Sequence, residues 1–151
     1  MTRSAIALQS AYAIAAAALL TLGGIAGPRP RVAAPAAIAL GIATAVLLYA
    51  WLARGRARPQ ARLLPAAAGG VFEEVVWRWG ALAGTAPFLG WPAAYAASTV
   101  GFAGRHARGR GALPYLVLGT SFGGVFLATG RLEAAVTAHA AYNLLALGSR
   151  R

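Results

Sequence analysis

Long apolar runs separated by arginine clusters leave this chain few folds to choose from. Stretches of roughly 20 apolar residues recur along its 151 residues, the length a helix needs to cross the hydrocarbon core of a bilayer. The composition agrees: 59% of residues are hydrophobic and 11% charged, whereas a soluble domain carries about 25% charged residues. Mean hydropathy is +0.62. The expected fold is all-α, a polytopic transmembrane helical bundle of about six spans.

The first span is expected over about Ser4 to Ala26. It is longer than a signal-peptide core and no clear small-x-small cleavage site follows it, so it reads as an anchor. The second runs from about Val32 to Ala53. A basic linker follows, with Arg54, Arg56, Arg58, Pro59 and Arg62. The third covers about Leu64 to Gly84. Pro87 opens the fourth, which ends near His106. The fifth covers about Leu113 to Thr129, and Gly130-Arg131 turns into the sixth, about Leu132 to Leu147. Residues 1–62 thus form a two-span region with its linker, and residues 63–151 a region of about four spans. No sequence repeat and no soluble domain is evident.

Arginine placement sets the orientation. With six spans, ten Arg fall on the side that holds both termini and three on the other, while Arg78 lies within a span. Cationic residues favour the cytoplasmic side, so both termini are expected in the cytoplasm of a plasma or inner membrane. The net charge of +11 suggests nucleic acid at first sight. Because the Arg flank apolar runs instead of lining one polar face, no nucleic-acid partner is expected. All 14 cationic residues are Arg and there is no Cys. The first point suggests a GC-rich, bacterial genome, and the second excludes disulfide and thiolate chemistry.

Polar side chains capable of chemistry are scarce and clustered. There are three Glu, two His and one Asn, with no Asp or Lys. Glu73 and Glu74 sit in Glu73-Glu74-Val75-Val76-Trp77-Arg78. His106 closes Phe102-Ala103-Gly104-Arg105-His106. His139 and Asn143 frame His139-Ala140-Ala141-Tyr142-Asn143. A charge at the centre of a span costs roughly 2.5–3.5 kcal/mol on insertion scales, and the third span carries three. Glu74 and Arg78, spaced i,i+4, can pair on one helix face. Glu73 has no evident local partner, and such a carboxylate is placed to act as a general base.

The topology brings these motifs to similar depth. Glu73, His139 and Asn143 lie about 9–15 Å in from the cytoplasmic ends of their spans, at about 1.5 Å per residue. His106, beside Arg105, is expected to be shallower. The i,i+4 spacing puts His139 and Asn143 on one helix face. Glu, His, His and Asn can therefore converge in a cavity open to the cytoplasm.

Each residue also has a plainer reading. A Glu-Arg pair in a span is often a structural ion pair, and a Phe four residues before a His carries little information. His139 could be a packing residue bonded to Tyr142 or Asn143. Trp51, Trp77, Trp79 and Trp91 read as interface or packing aromatics. Glu133 reads as a favourable first-turn charge, and the Gly-rich stretch from Gly119 to Gly124 as a close helix contact.

Taken together, the three motifs resemble the CPBP family of intramembrane proteases, which includes the CAAX prenyl endopeptidase type II and bacteriocin-processing or immunity proteins. The family pattern is EExxxR, FxxxH, then HxxxN or HxxxD, each on its own transmembrane helix. Here it is Glu73, Glu74 and Arg78; Phe102 and His106; His139 and Asn143, over about residues 66–147. The resemblance implies that Glu73 activates the hydrolytic water and that His106 holds it. It also implies that His139 and Asn143 bind the water or stabilise the oxyanion. Glu74, Arg78 and Phe102 are then supporting residues. Glu73, His106 and His139 also form a two-His-one-carboxylate set that could hold one zinc ion. A Glu-His water dyad with Asn143 in an oxyanion hole is equally consistent.

The family usually has about eight spans. The reduced number here leaves substrate entry altered and leaves room for a partner protein or a homo-oligomer. The expected activity is hydrolysis of a peptide bond in or near the membrane of a membrane or exported protein. The alternatives are a non-catalytic membrane scaffold or immunity protein of the same fold, and a small transporter using Glu73 or Glu74 as a proton-coupled carboxylate.

Overall fold

The computed structural model describes residues 14, 27–53, 63–107 and 111–148. The first expected span, apart from Ile14, and the basic linker lie outside the described residues. So do Arg3, Arg108, Arg110, Arg150 and Arg151.

The described residues contain helices and no strand. Helix α1 (Ala34–Leu48) passes into a π-helical turn, Tyr49–Ala53. Helix α2 (Leu63–Glu74) continues as a π-helical segment, Val75–Ala83, and then as α3 (Gly84–Leu89). Helices α4 (Trp91–His106), α5 (Leu113–Thr129) and α6 (Leu132–Gly148) follow. Pro occupies the first turn of α1, α4 and α5, where its fixed φ suits the helix and its missing N–H costs nothing.

One boundary differs from expectation. Pro87 lies inside α3 and does not open the fourth helix. The break falls at Gly90, whose φ of 78° ends α3 and starts α4. Glycine adopts that conformation without a Cβ clash, and Pro92 then occupies the first turn of α4. The turn between α5 and α6 is sharper. Gly130 has φ 68° and caps α5 by donating its N–H to the Phe126 carbonyl at 2.8 Å, the left-handed C-terminal stop.

Helix α6 is the centre of the bundle. It packs against α1, α2 and α5 and touches the π segment. Small residues make this possible: a Cβ at Gly41 on α1 would fall 2.5 Å from the Ala134 carbonyl on α6. Helix α6 carries the His-Asn motif and packs on α2, which carries Glu73 and Glu74, while Phe102 of α4 reaches the His139 ring.

Two apolar clusters fill the bundle. Phe102, Phe122, Leu118, Ala138 and Tyr142 pack around the polar cluster described below. Leu82, Ala86, Ala94, Phe126 and Ala135 fill the opposite end. That end is tied to the α5–α6 turn by the chain entering α1. The Arg31 N–H donates to the Thr129 carbonyl at 2.8 Å, and Arg131 Nε donates to the Val32 carbonyl at 2.6 Å.

Ala34–Leu52 is, among the described residues, the one helix both long and apolar enough to cross a membrane; Leu113–Thr129 is shorter and apolar. Helix α1 turns Leu40, Ile42, Val46 and Leu47 outward, and a helix apolar all round suits lipid on one side and protein on the other. The α2 helix with its π continuation is long, but it carries Glu73, Glu74 and Arg78, which lower its apolar character.

Candidate active site

Helix α2 ends at Glu74, and the π segment begins one residue later. Extra turns of this kind recur at functional sites in helices. Here the widened helix carries Arg78 beneath the two Glu. Arg78 Nε donates to Glu74 Oε2 at 2.9 Å, and both side chains are wholly buried. A buried charge needs a hydrogen-bonded partner, and each of these two supplies the other's.

Glu74 has a second partner. Its Oε1 accepts from His139 Nδ1 at 2.8 Å. A carboxylate can only accept, so Nδ1 carries the proton, and whenever the ring is neutral its Nε2 presents a lone pair. That Nε2 faces Glu73 Oε2 at 3.8 Å. The His139 ring is sandwiched by stacking on Phe122 at 4.6 Å and meeting Phe102 edge-on at 5.8 Å. His139 therefore bonds to Glu74.

His106 approaches Glu73 from the other side. Its Nδ1 is 2.8 Å from the Phe102 carbonyl one turn earlier, again a pure acceptor. Its Nε2 faces Glu73 Oε2 at 3.2 Å. Phe102 stacks against the ring at 4.5 Å and Tyr115 at 5.5 Å. The Phe in the Phe-x-x-x-His spacing thus supplies both a carbonyl and a packing surface.

The structure brings Glu73, His106 and His139 together around one carboxylate oxygen. Exposure rises outward through the cluster: 0% for Glu74 and Arg78, 7% for His139, 14% for Glu73 and 24% for His106. Glu73 thus lies between a closed polar interior and the open side of the bundle. Asn143 sits one turn along from His139. Its Nδ2 donates to the Ala66 carbonyl of α2 at 3.0 Å. A Cβ on Gly70 would stand 3.2 Å from both Asn143 Nδ2 and the His139 ring, so Gly70 lets α2 and α6 close over these two side chains.

Sequence reasoning missed Ser98. It is buried, accepts from Arg78 Nη1 at 3.0 Å and donates to the Trp77 carbonyl at 2.7 Å. Its signal was a hydroxyl one turn before Phe102 and two before His106, on the same helix face. Trp77 also packs its ring against Phe102. Glu133 lies in the first turn of α6 and pairs with Arg131 at 3.4 Å. Among the described residues, no group of three His, Cys, Asp or Glu side chains is arranged to hold a metal ion.

Residues 57–145 match the family model described as type II CAAX prenyl endopeptidase Rce1-like. That is more than half of the chain. The chain belongs to this Rce1-like family. No curated protein and no solved structure matches it. The Rce1-like family is a multispan helical membrane fold, and the all-α bundle around α6 agrees with it. Membership makes this a membrane protein with a CAAX-type intramembrane protease fold.

Proposed function

We propose that this chain is an intramembrane endopeptidase that hydrolyses a peptide bond in or near the membrane of a membrane or exported protein, with Glu73 activating water. One observation carries the reading. Glu73 Oε2 faces the Nε2 atoms of two His whose Nδ1 atoms are both committed elsewhere. Two oriented rings around a partly open carboxylate suit a water-activating site, because the base and its companions are already fixed in position.

In the proposed reaction, Glu73 takes a proton as the water oxygen adds to the scissile carbonyl. The Nε2 lone pair of His139 accepts from that water, and His106 aligns it with Glu73. Asn143 spends one amide N–H on Ala66 and keeps a second for the developing oxyanion. When the C–N bond breaks, Glu73 returns the proton to the leaving amine. Glu74 and Arg78 hold His139 and do not touch the substrate.

The arginine distribution supports a multi-pass topology with both termini cytoplasmic. A scaffold role would not need two imidazoles oriented on one carboxylate, and a proton-coupled transporter would not need Asn143 beside them. The test is cleavage of a membrane-inserted substrate by purified protein in liposomes. Wild-type activity that disappears in Glu73→Gln supports the reading, and equal activity in the two overturns it.

A further inference from the structure

Arg78 is, among the described residues, the wholly buried Arg, and its guanidinium is only partly bonded. Nε is bound to Glu74 and Nη1 to Ser98, while Nη2 has no hydrogen-bond partner. The Phe102 ring lies 5.5 Å from its central carbon, a contact that offers its N–H groups no lone pair. Beyond the Glu74 contact, Ser98 makes the hydrogen bond that holds the guanidinium.

The hydroxyl of Ser98 has no choice of direction. The Trp77 carbonyl can only accept and the guanidinium can only donate. The Ser98 proton therefore goes to Trp77, and its lone pair faces Arg78. The contacts continue from there. Arg78 Nε donates to Glu74 Oε2, His139 Nδ1 donates to Glu74 Oε1, and Nε2 of His139 faces Glu73, bare when the ring is neutral.

We propose that Ser98 is a positioning residue of the site, acting through Arg78 and Glu74 to set the tautomer and orientation of His139. Its effect on catalysis rests on the peptidase reading above, and its effect on His139 does not. Ser98→Ala would leave Arg78 Nη1 without an acceptor. The guanidinium would rotate toward other acceptors, Glu74 Oε2 would follow, and Nδ1 of His139 would lose its fixed partner. The imidazole would then populate the Nε2–H form, which has no lone pair for water.

The experiment uses the full chain in lipid nanodiscs with ¹⁵N-labelled histidine, assigned with His139→Ala. Nitrogen shifts distinguish protonated from bare ring nitrogens. Wild type is expected to show His139 as Nδ1–H with bare Nε2, Ser98→Ala a mixture of tautomers, and Ser98→Thr, which keeps a hydroxyl, the wild-type pattern. In the cleavage assay, kcat of Ser98→Ala is expected to fall by up to roughly 10²-fold with KM unchanged, because Ser98 does not meet the substrate. An unchanged His139 spectrum in folded Ser98→Ala overturns the proposal. If Ser98→Ala does not fold, Ser98→Cys carries the same test. Its thiol is a weak acceptor, so a partial shift to Nε2–H supports the proposal and no shift overturns it. If wild type cleaves nothing, the spectra still decide the role of Ser98, and only the peptidase reading fails.

Discussion

The Nδ1 of His139 lies 2.8 Å from Oε1 of Glu74, across 65 residues of chain. The other carboxylate oxygen of Glu74 is held by Arg78. One carboxylate therefore joins Arg78 of the third apolar segment to the imidazole of the last helix. Adjacent glutamates acquire different duties: Glu74 is closed in, and Glu73 faces the opening.

Glu74→Gln is accordingly expected to act on folding. It leaves Arg78 buried without a counter-charge, a loss of roughly 3–5 kcal/mol for a broken buried pair. Most of the membrane-inserted protein should run as aggregate on size exclusion in detergent. A monodisperse, thermally wild-type Glu74→Gln would show that Arg78 does not depend on it.

Glu73→Gln is expected to act on chemistry. The amide keeps the shape and loses the base, so peptide hydrolysis should fall by roughly 10²–10⁴-fold. Size exclusion and thermal stability should match wild type, because Glu73 is part-exposed and outside the Glu74–Arg78 pair.

Gly70→Ala tests the α2–α6 seam. The new methyl would stand 3.2 Å from the His139 ring and from Asn143 Nδ2, close enough that both must move a few tenths of an ångström. Activity should fall, by up to roughly 10²-fold for a displaced catalytic group. Gly104→Ala is the control, since a Cβ there meets nothing within 4 Å. Equal activity in both variants would show that the seam tolerates the methyl.

Chelation separates two chemistries. With water activated by Glu73 alone, dialysis against a strong chelator should leave the cleavage rate unchanged. Loss of activity restored by zinc would instead assign Glu73, His106 and His139 to a metal.

Topology is open to a direct test. Reporter fusions at Arg151 should report the cytoplasm and fusions within residues 27–31 the opposite side, as the arginine distribution requires. A C-terminus on the outer side would reverse the orientation and move the site to the other leaflet.

Much of this protein was legible in its residues. Apolar run lengths mark helices, and the fifth and sixth boundaries fall within a residue of Leu113–Thr129 and Leu132–Gly148. The i,i+4 spacing places Glu74 with Arg78 because neighbouring turns of one helix are local geometry. Tertiary packing decided the rest. The helix break at Gly90 rather than Pro87 depends on a positive φ that residue types only permit. That His139 turns to Glu74, and that His106 reaches Glu73 despite its place at a helix end, depends on how α6 docks against α2 and α4 against the π segment that continues it. Ser98 has meaning only through Arg78, 20 residues away. Periodicity along a chain specifies which residues share a face, but the partner that face meets is set by packing between helices, and hydrogen bonds between distant segments follow from that packing.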